Sequence, residues 1–497
     1  MSAAPLRILA GSENKALEPI LADFTRQSGI PVEMVYRGSV DIMLELQQGA
    51  VGFQAVWPAN SLWIDLSGNK MIRGSASITR SPVVFGIKRS RAAQLGLTLG
   101  QPLPMRRVLE FTRAGKLNFL MTNPTQSNSG AMGYLGFLHV LSGREDAFTA
   151  ADLARPDLAA DIQNILSAVD RNSGSSGWLK DLYLANPELY DSMVNYESTL
   201  IEINEELARR KQEPLLVFYP ADGQAIADSP LAYVVHSEED RETDFVKLRD
   251  YLLSPEIQSR LGMLGRRTGL VGTETNSPSF RSEWGLDAPR ILQPFPLPSA
   301  EVIRSALGLY QTNFKKPSLT VFVLDLSGSM QGVGERQLKA AMNLLLVESE
   351  ADRYLLRTGV HDETVIVPFD SVPREILRTS GNNADSLEKL RGSILRSQAG
   401  GGTDIYAAAI AALREISLTK AREDYAVSII LMTDGKSEGR YEDLMSAWKQ
   451  TPVPIFTIMF GDADPAQLER ISKATRARSF DGRKNLISAF REAKAYN

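Results

Sequence analysis

The stretch Val321–Met330 reads VFVLDLSGSM: four apolar residues run into Asp325, and Ser327 and Ser329 then stand on either side of Gly328. A segment apolar at nearly every position reads as a strand covered on both faces of a sheet. A carboxylate and two hydroxyls directly after it put oxygen donors at the strand's carboxyl end. In open parallel sheets that is where loops from neighbouring βα units converge on a ligand.

Working outward, three more apolar runs (TVIVPF, AVSIILMTD and VPIFTIMFG) alternate with helical patterns between Lys316 and the end of the chain. This alternation predicts a doubly wound, Rossmann-like α/β domain over residues 316–497. Two of its loops share the chemistry of the first. GGGTDIY sets Thr403 and Asp404 just ahead of the helical YAAAIAALREI, and LMTDGKSEG sets Asp434 directly after a strand. All the donors are oxygens. A small, hard divalent cation takes about six oxygens in a near-octahedral array and keeps some of its waters, which suits hydroxyls and carboxylates from three loops.

The ordered elements DLSGS, GGTD and TDG resemble the metal-ion-dependent adhesion site of von Willebrand factor A (VWA) domains, and the likeness runs from about Lys316 to Asn497. The resemblance places the metal ligands at Asp325, Ser327, Ser329, Thr403 and Asp434. It implies Mg2+, or another divalent cation such as Mn2+ or Ca2+, and a protein partner that offers a carboxylate to the open coordination position. Catalysis is not expected. A phosphohydrolase needs a nucleophile and a phosphate cradle, yet no GxxxxGK[ST] motif is present and no carboxylate stands two residues after Asp325. Lys436, the nearest basic residue, reads as an exposed loop lysine. A Mg-dependent hydrolase stays the more distant alternative.

The first part of the chain is also α/β. LRILAG and IPVEMVY read as strands, and NKALEPILADFTRQSG places Leu17, Ile20, Leu21 and Phe24 on one helical face. PVVFGI, LNFLMT, PLLVFY and LAYVV continue the strand series. Hydroxyl-bearing loops follow several of these strands: GSEN, RGSVD, PTQSNSGAMG and YEST. From Leu6 to Gly269 the order of these segments, ending in LLSPEIQSRLGMLGRRTGL, resembles two-lobed, hinged (class II) periplasmic-type solute-binding proteins, including oxyanion binders. That resemblance implies contacts to a small polar or anionic solute from Ser12, Ser39, Ser127 and Ser129, with Glu197 and Ser198 as further candidates. Each serine is equally suited to capping a helix N-terminus. Glu13, Asp41 and Glu197 would repel an anion if left unpaired, so a zwitterionic or neutral ligand, or an empty cleft, stays open. Trp57 and Trp63 are candidates for the cleft wall or the core.

Between the two regions, APRILQPFPLPS carries four prolines, which suits neither regular element. We therefore expect a solute-binding-protein-like domain over 1–287, a Pro-rich linker and short helix (EVIRSALGLYQ) over 288–315, and the VWA domain over 316–497.

Composition bounds the function. With 497 residues, 55 Lys and Arg against 59 Asp and Glu, and a net charge of -4, the chain has no basic footprint for nucleic acid. It has no cysteine, which excludes disulfides, thiolate metal sites and cysteine nucleophiles, and its three histidines (His139, His236 and His361) have no metal-ligand spacing. No apolar run reaches bilayer length. The strand pattern starting near Leu6 leaves no room for a signal peptide, and the solute-binding resemblance implies an extracytoplasmic, periplasmic or cell-surface protein whose targeting segment lies outside this chain. Membrane association is expected only through such a segment, and a cytoplasmic location is the alternative. The combination predicts a non-enzymatic ligand-binding adaptor. The alternative is the solute receptor of a membrane transporter, with the VWA domain as an accessory docking module.

Overall fold

The computed structural model describes residues 4–236, 240–268, 277–420, 422–437, 439–483 and 485–496. Gly269, where the first resemblance ends, lies outside them. The chain divides into two compact units, Met1–Ala306 and Leu307–Asn497.

In the first unit the early strands are β1 (Leu6–Gly11), β2 (Val32–Arg37), β3 (Ala55–Trp57), β4 (Ile72–Ser77), β5 (Ser81–Lys88) and β6 (Phe119–Thr122). The later ones are β7 (Val169–Ser173), β8 (Ser192–Tyr196), β9 (Leu215–Phe218), β10 (Ile226–Ala227) and β11 (Pro230–Val234). They form two sheets and hence two lobes. One has the order β2-β1-β3-β11-β4, the other β10-β5-β8-β6-β7 with β9 also paired to β5.

Both sheets are mixed, which simple β-α-β alternation does not predict. β1 runs parallel to β2 and β3, whereas β11 returns antiparallel between β3 and β4. The reason lies in the connectivity: the chain leaves the first lobe after β4, builds the second, and re-enters through β10 and β11. The amphipathic helix forms at Glu18–Ser28 and buries Ile20, Leu21 and Phe24 against Leu6, Ile8 and Ala10 of β1. Each large side chain so covered is worth about 1.5–3 kcal/mol.

The second unit holds one six-stranded sheet. Its strands are β12 (Ser318–Asp325), β13 (Glu363–Phe369), β14 (Leu377–Ser380), β15 (Ala426–Thr433), β16 (Ile455–Met459) and β17 (Ser479–Asp481), in the order β14-β13-β12-β15-β16-β17. All neighbours are parallel except the edge strand β14. The four apolar runs occupy the four central positions. Every residue of β12 is buried. Leu319, Val321 and Val323 pack with the helix Ile405–Leu418, while Phe322 points the other way and stacks on Phe490 at 5.7 Å between ring centres. Helices therefore cover both faces, and the carboxyl edge of the sheet is left for the loops that carry the oxygen donors.

The Pro-rich stretch carries no regular element until the helix Ala300–Leu309, which spans the boundary between the two units.

Candidate functional site

At the carboxyl edge of the second sheet, Asp325 closes β12 and Thr433 closes the adjacent β15. The two strands are in register at Leu324 and Met432, so the following side chains meet. Thr433 Oγ1 donates to Asp325 Oδ2 at 2.6 Å, and the Ser327 backbone N–H donates to Asp325 Oδ1 at 2.8 Å. The carboxylate is thus fixed in a completely buried position.

Ser327 and Ser329 place their hydroxyl oxygens 3.0 Å apart, and Ser329 Oγ donates to Asp434 Oδ1 at 2.8 Å. The third loop is tied in by its backbone: Gly328 N–H donates to Gly401 O at 2.9 Å, and Gly400 N–H to Leu326 O at 2.8 Å. Thr403 lies against the loop after Asp434, since a Cβ on Gly435 would stand 3.1 Å from Thr403 Oγ1. A side chain there would press on that hydroxyl. Asp404 serves the helix instead, accepting from the backbone N–H groups of Tyr406 and Ala407.

The five sequence-derived positions are therefore drawn from three loops that meet at one edge. Asp325, Ser327 and Asp434 form a buried wall, and Ser329 is exposed at the mouth. Burial pushes the Asp325 carboxyl up, against hydrogen bonds from Ser327 and Thr433. Burial does the same to Asp434, with the nearby charge of Asp325 adding to it against the Ser329 hydrogen bond. Two crowded carboxylates and three hydroxyls are a donor set that suits a small, hard cation. Among the described residues no group of three or more His, Cys, Asp or Glu side chains could hold a metal, so any ion here depends on the hydroxyls.

Sequence reasoning missed Thr433, although MTDG places a hydroxyl one residue before Asp434. It also missed Asp370, at the end of β13, whose carboxylate is taken by Arg374 at 2.9 Å.

In the first unit the two lobes touch across the cleft that the serine loops line. Gly177 N–H donates to Ser12 Oγ at 3.0 Å, and Val40 N–H donates to Gln126 O at 3.0 Å. The backbones come so close that a Cβ on Gly38 would lie 2.1 Å from Gln126 O. Ser39 Oγ accepts from Ala59 N–H at 2.9 Å within its own lobe. Ser127 and Ser129 lie side by side, with Ser129 Oγ 2.8 Å from Thr122 Oγ1 and 3.4 Å from Ser176 Oγ.

Trp63 Nε1 reaches across to Asn128 Oδ1 at 2.7 Å, and Asn128 Nδ2 donates to Tyr196 OH at 3.0 Å. Trp57 instead belongs to the core, donating to Ser229 Oγ at 2.9 Å. Glu197 and Ser198 are held by two consecutive arginines that the sequence reading passed over within GRRTG. Arg267 grips both Glu197 carboxylate oxygens at 2.7 and 2.8 Å, while Arg266 donates to Ser198 Oγ at 2.6 Å and to Glu202 at 2.7 Å. Glu197 is thus neutralised and fully buried. Glu13 keeps one enclosed carboxylate oxygen, Oε1, without a hydrogen-bond partner.

Comparison with known proteins gives these two architectures their names. Residues 6–266 match the family model described as bacterial extracellular solute-binding protein. The chain belongs to that family. Residues 320–488 match the von Willebrand factor type A domain, so this solute-binding protein carries a VWA domain as its second unit. Both families are typically non-catalytic.

Among solved structures, a von Willebrand factor type A protein from Catenulispora acidiphila is 22% identical, with a TM-score of 0.30 over 37% of this chain. The aligned part spans only 43% of that protein. The sulfate-binding protein SubI from Mycobacterium tuberculosis is 14% identical, with a TM-score of 0.41 over 59% of this chain and 94% of its own. The apo ferric ion-binding protein A from Pasteurella haemolytica is 12% identical, with a TM-score of 0.45 over 62% of this chain and 97% of its own. No curated protein matches. Among the described residues no helix is long and apolar enough to cross a membrane.

Proposed function

We propose that the protein is an extracytoplasmic binding adaptor, which takes a small polar or anionic solute between its lobes and docks a protein partner through a divalent cation on the VWA unit. The observation that carries this reading is the hydroxyl contact from Ser329 to Asp434, which joins the first and last of the loops named in the sequence. Asp325, Ser327, Ser329, Thr403 and Asp434 would hold Mg2+, Mn2+ or Ca2+. When bound, the ion supplies an electrophilic position for a partner's carboxylate. The chain's own residues do the rest: Thr433 and the Ser327 N–H orient Asp325, and Ser327 and Ser329 set their hydroxyl oxygens side by side.

The family's description as extracellular supports the location. For the solute, Ser12, Ser39, Ser127 and Ser129 are the proposed contacts, with Ser198 held ready by Arg266. Glu197 contributes through Arg267 to the fold of the cleft floor, as both its oxygens are already taken. The family membership also supports a receptor role for a membrane transporter, in which the VWA unit would be an accessory.

Thermal melting of the full chain against sulfate, phosphate, amino acids and divalent ions tests both sites, because a ligand specific for the folded state raises the apparent stability. The reading expects Mg2+ or Mn2+ to raise the melting temperature, and EDTA or Asp325→Ala to abolish that rise. A solute effect should survive Asp325→Ala and disappear in Ser129→Trp. If metals shift the wild type and Asp325→Ala alike, the docking role is wrong.

A further inference from the structure

The VWA unit carries a cavity of about 440 Å³ at the end of the sheet away from the oxygen donors. Its position follows from chain direction. The helix Val333–Leu346 starts just after the Ser329 loop and runs back along the sheet, so Leu345 and Leu346 mark its far end. Thr358 stands ahead of the first residue of β13, at that same end. The facing wall is the start of the helix Ala384–Arg396, to which the antiparallel strand β14 leads.

Pockets for small molecules span about 300–1,000 Å³ and combine apolar walls with a few convergent polar groups. Here Leu345, Leu346, Ala351 and Leu387, all buried, supply the apolar part. Two features of the polar part select an occupant. The first is Thr358, which is only 4% exposed and whose hydroxyl has no hydrogen-bond partner among the described residues. Buried hydroxyls are nearly always bonded, because one left alone has given up its bonds to water for nothing. An occupant with a hydrogen-bonding group at that wall would supply the missing partner.

The second feature is charge. The lining sets two guanidinium groups, of Arg357 and Arg391, against three carboxylates, of Glu348, Asp385 and Glu388. Both arginines are matched. Arg357 pairs with Glu348 at 3.1 Å and with Asp352 at 2.8 Å. Arg391 donates to both Glu388 oxygens at 2.9 and 3.1 Å, and through Nε to Asn343 at 2.9 Å. Asp385, exposed at the rim, makes no hydrogen bond or ion pair among the described residues. The unmatched charge is therefore negative.

We propose that this cavity is a ligand site for an amphipathic organic cation: a protonated primary amine on an apolar body, with a hydroxyl at the other end. Asp385 holds the ammonium at the rim, the three leucines and Ala351 cover the body, and Thr358 bonds the hydroxyl at the buried wall. The site uses none of the metal-loop or cleft residues.

Isothermal titration of the full chain with tyramine, which has all three parts, tests the site. Saturable one-to-one binding is expected, about threefold or more tighter than that of phenethylamine, which lacks the hydroxyl, or of 4-ethylphenol, which lacks the ammonium. Thr358→Val should bring tyramine down to the phenethylamine affinity and leave phenethylamine unchanged. Asp385→Asn should bring tyramine down to the 4-ethylphenol affinity, and Ala384→Trp, at the rim, should abolish binding by filling the cavity. Asp325→Ala and Ser129→Trp should leave the tyramine affinity unchanged, so failure here is distinct from failure of the metal site or of the solute cleft. Circular dichroism melts establish that the variants fold, and Ala384→Phe replaces Ala384→Trp if that one does not. No saturable binding in the wild type, equal affinity for tyramine and phenethylamine, or binding lost in Ser129→Trp but kept in Ala384→Trp, overturns the proposal.

Discussion

Ser329 donates its hydroxyl to Asp434 Oδ1 at 2.8 Å, although the two residues are 105 positions apart. That contact joins the oxygen donors of the loops after β12 and β15. It gives the carboxyl edge of the second sheet a shape that a strand followed by an ordinary turn would lack.

The orienting hydroxyl of Thr433 provides one prediction. It touches Asp325 rather than the mouth of the site, so Thr433→Val should loosen the carboxylate without removing a ligand. Groups that orient metal ligands are typically worth about 10–100-fold in affinity. We expect a loss of that order for Mn2+, measured by titration, with restoration in Thr433→Ser. Full affinity in Thr433→Val would deny the Thr433 hydroxyl an orienting role.

A buried ionic cluster lies elsewhere in the VWA unit, around Asp362. Asp362 accepts from Lys315 Nζ at 2.8 Å, Ser318 N–H at 2.7 Å and Gly359 N–H at 2.7 Å. Burial raises its carboxyl, but the charges of Lys315 and Lys494 and these hydrogen bonds outweigh burial and hold it below the usual range. A depressed carboxyl stabilises the fold above the unfolded-state value, and that stabilisation is lost as the pH falls through the folded value. Asp362→Ala should cost roughly 3–5 kcal/mol at neutral pH, because it strands buried lysine charge. Urea denaturation at pH 7 and pH 3 should show the difference between variant and wild type shrinking in acid.

In the solute-binding unit the same reasoning applies to Glu197. Glu197→Ala leaves Arg267 buried without its carboxylate and should destabilise the unit by about 3–5 kcal/mol in chemical denaturation. Solute affinity per folded molecule should change far less than in Ser129→Trp.

Glu13 has the opposite sign to Asp362. Burial pushes its carboxyl from 4.5 up to about 7, against its own backbone hydrogen bond and the charge of Arg266. The folded chain therefore holds a proton that the unfolded chain has released. Its contribution to stability is flat below about 4.5, falls as the pH rises to about 7, and is flat again above. Comparing melting temperatures of wild type and Glu13→Gln from pH 4 to pH 8 isolates this term. The variant should gain on the wild type as the pH rises.

Much of this was legible in the sequence because the decisive signals are local. Four largely apolar runs mark the centre of the second sheet, and strand-end residues such as Asp325 and Asp434 must lie together once the strands are parallel neighbours. The edge strands β14 and β17 escaped because sequences such as LRTS and SFD carry no apolar run. The antiparallel return of β11 escaped because direction depends on where the chain re-enters a lobe. At the cleft, hydroxyl-bearing loops were found, but the roles of Glu197, Arg266 and Arg267 were not. Pairing across 70 residues leaves no periodic trace.

The central claim is that Asp325, Ser327, Ser329, Thr403 and Asp434 surround one divalent cation. Anomalous diffraction from crystals grown with Mn2+ measures this directly. One strong peak is expected in the second unit, within about 2.0–2.3 Å of the Ser327 and Ser329 hydroxyl oxygens and absent in Asp325→Ala. A fully occupied peak elsewhere in the unit, or none at saturating Mn2+, would contradict it.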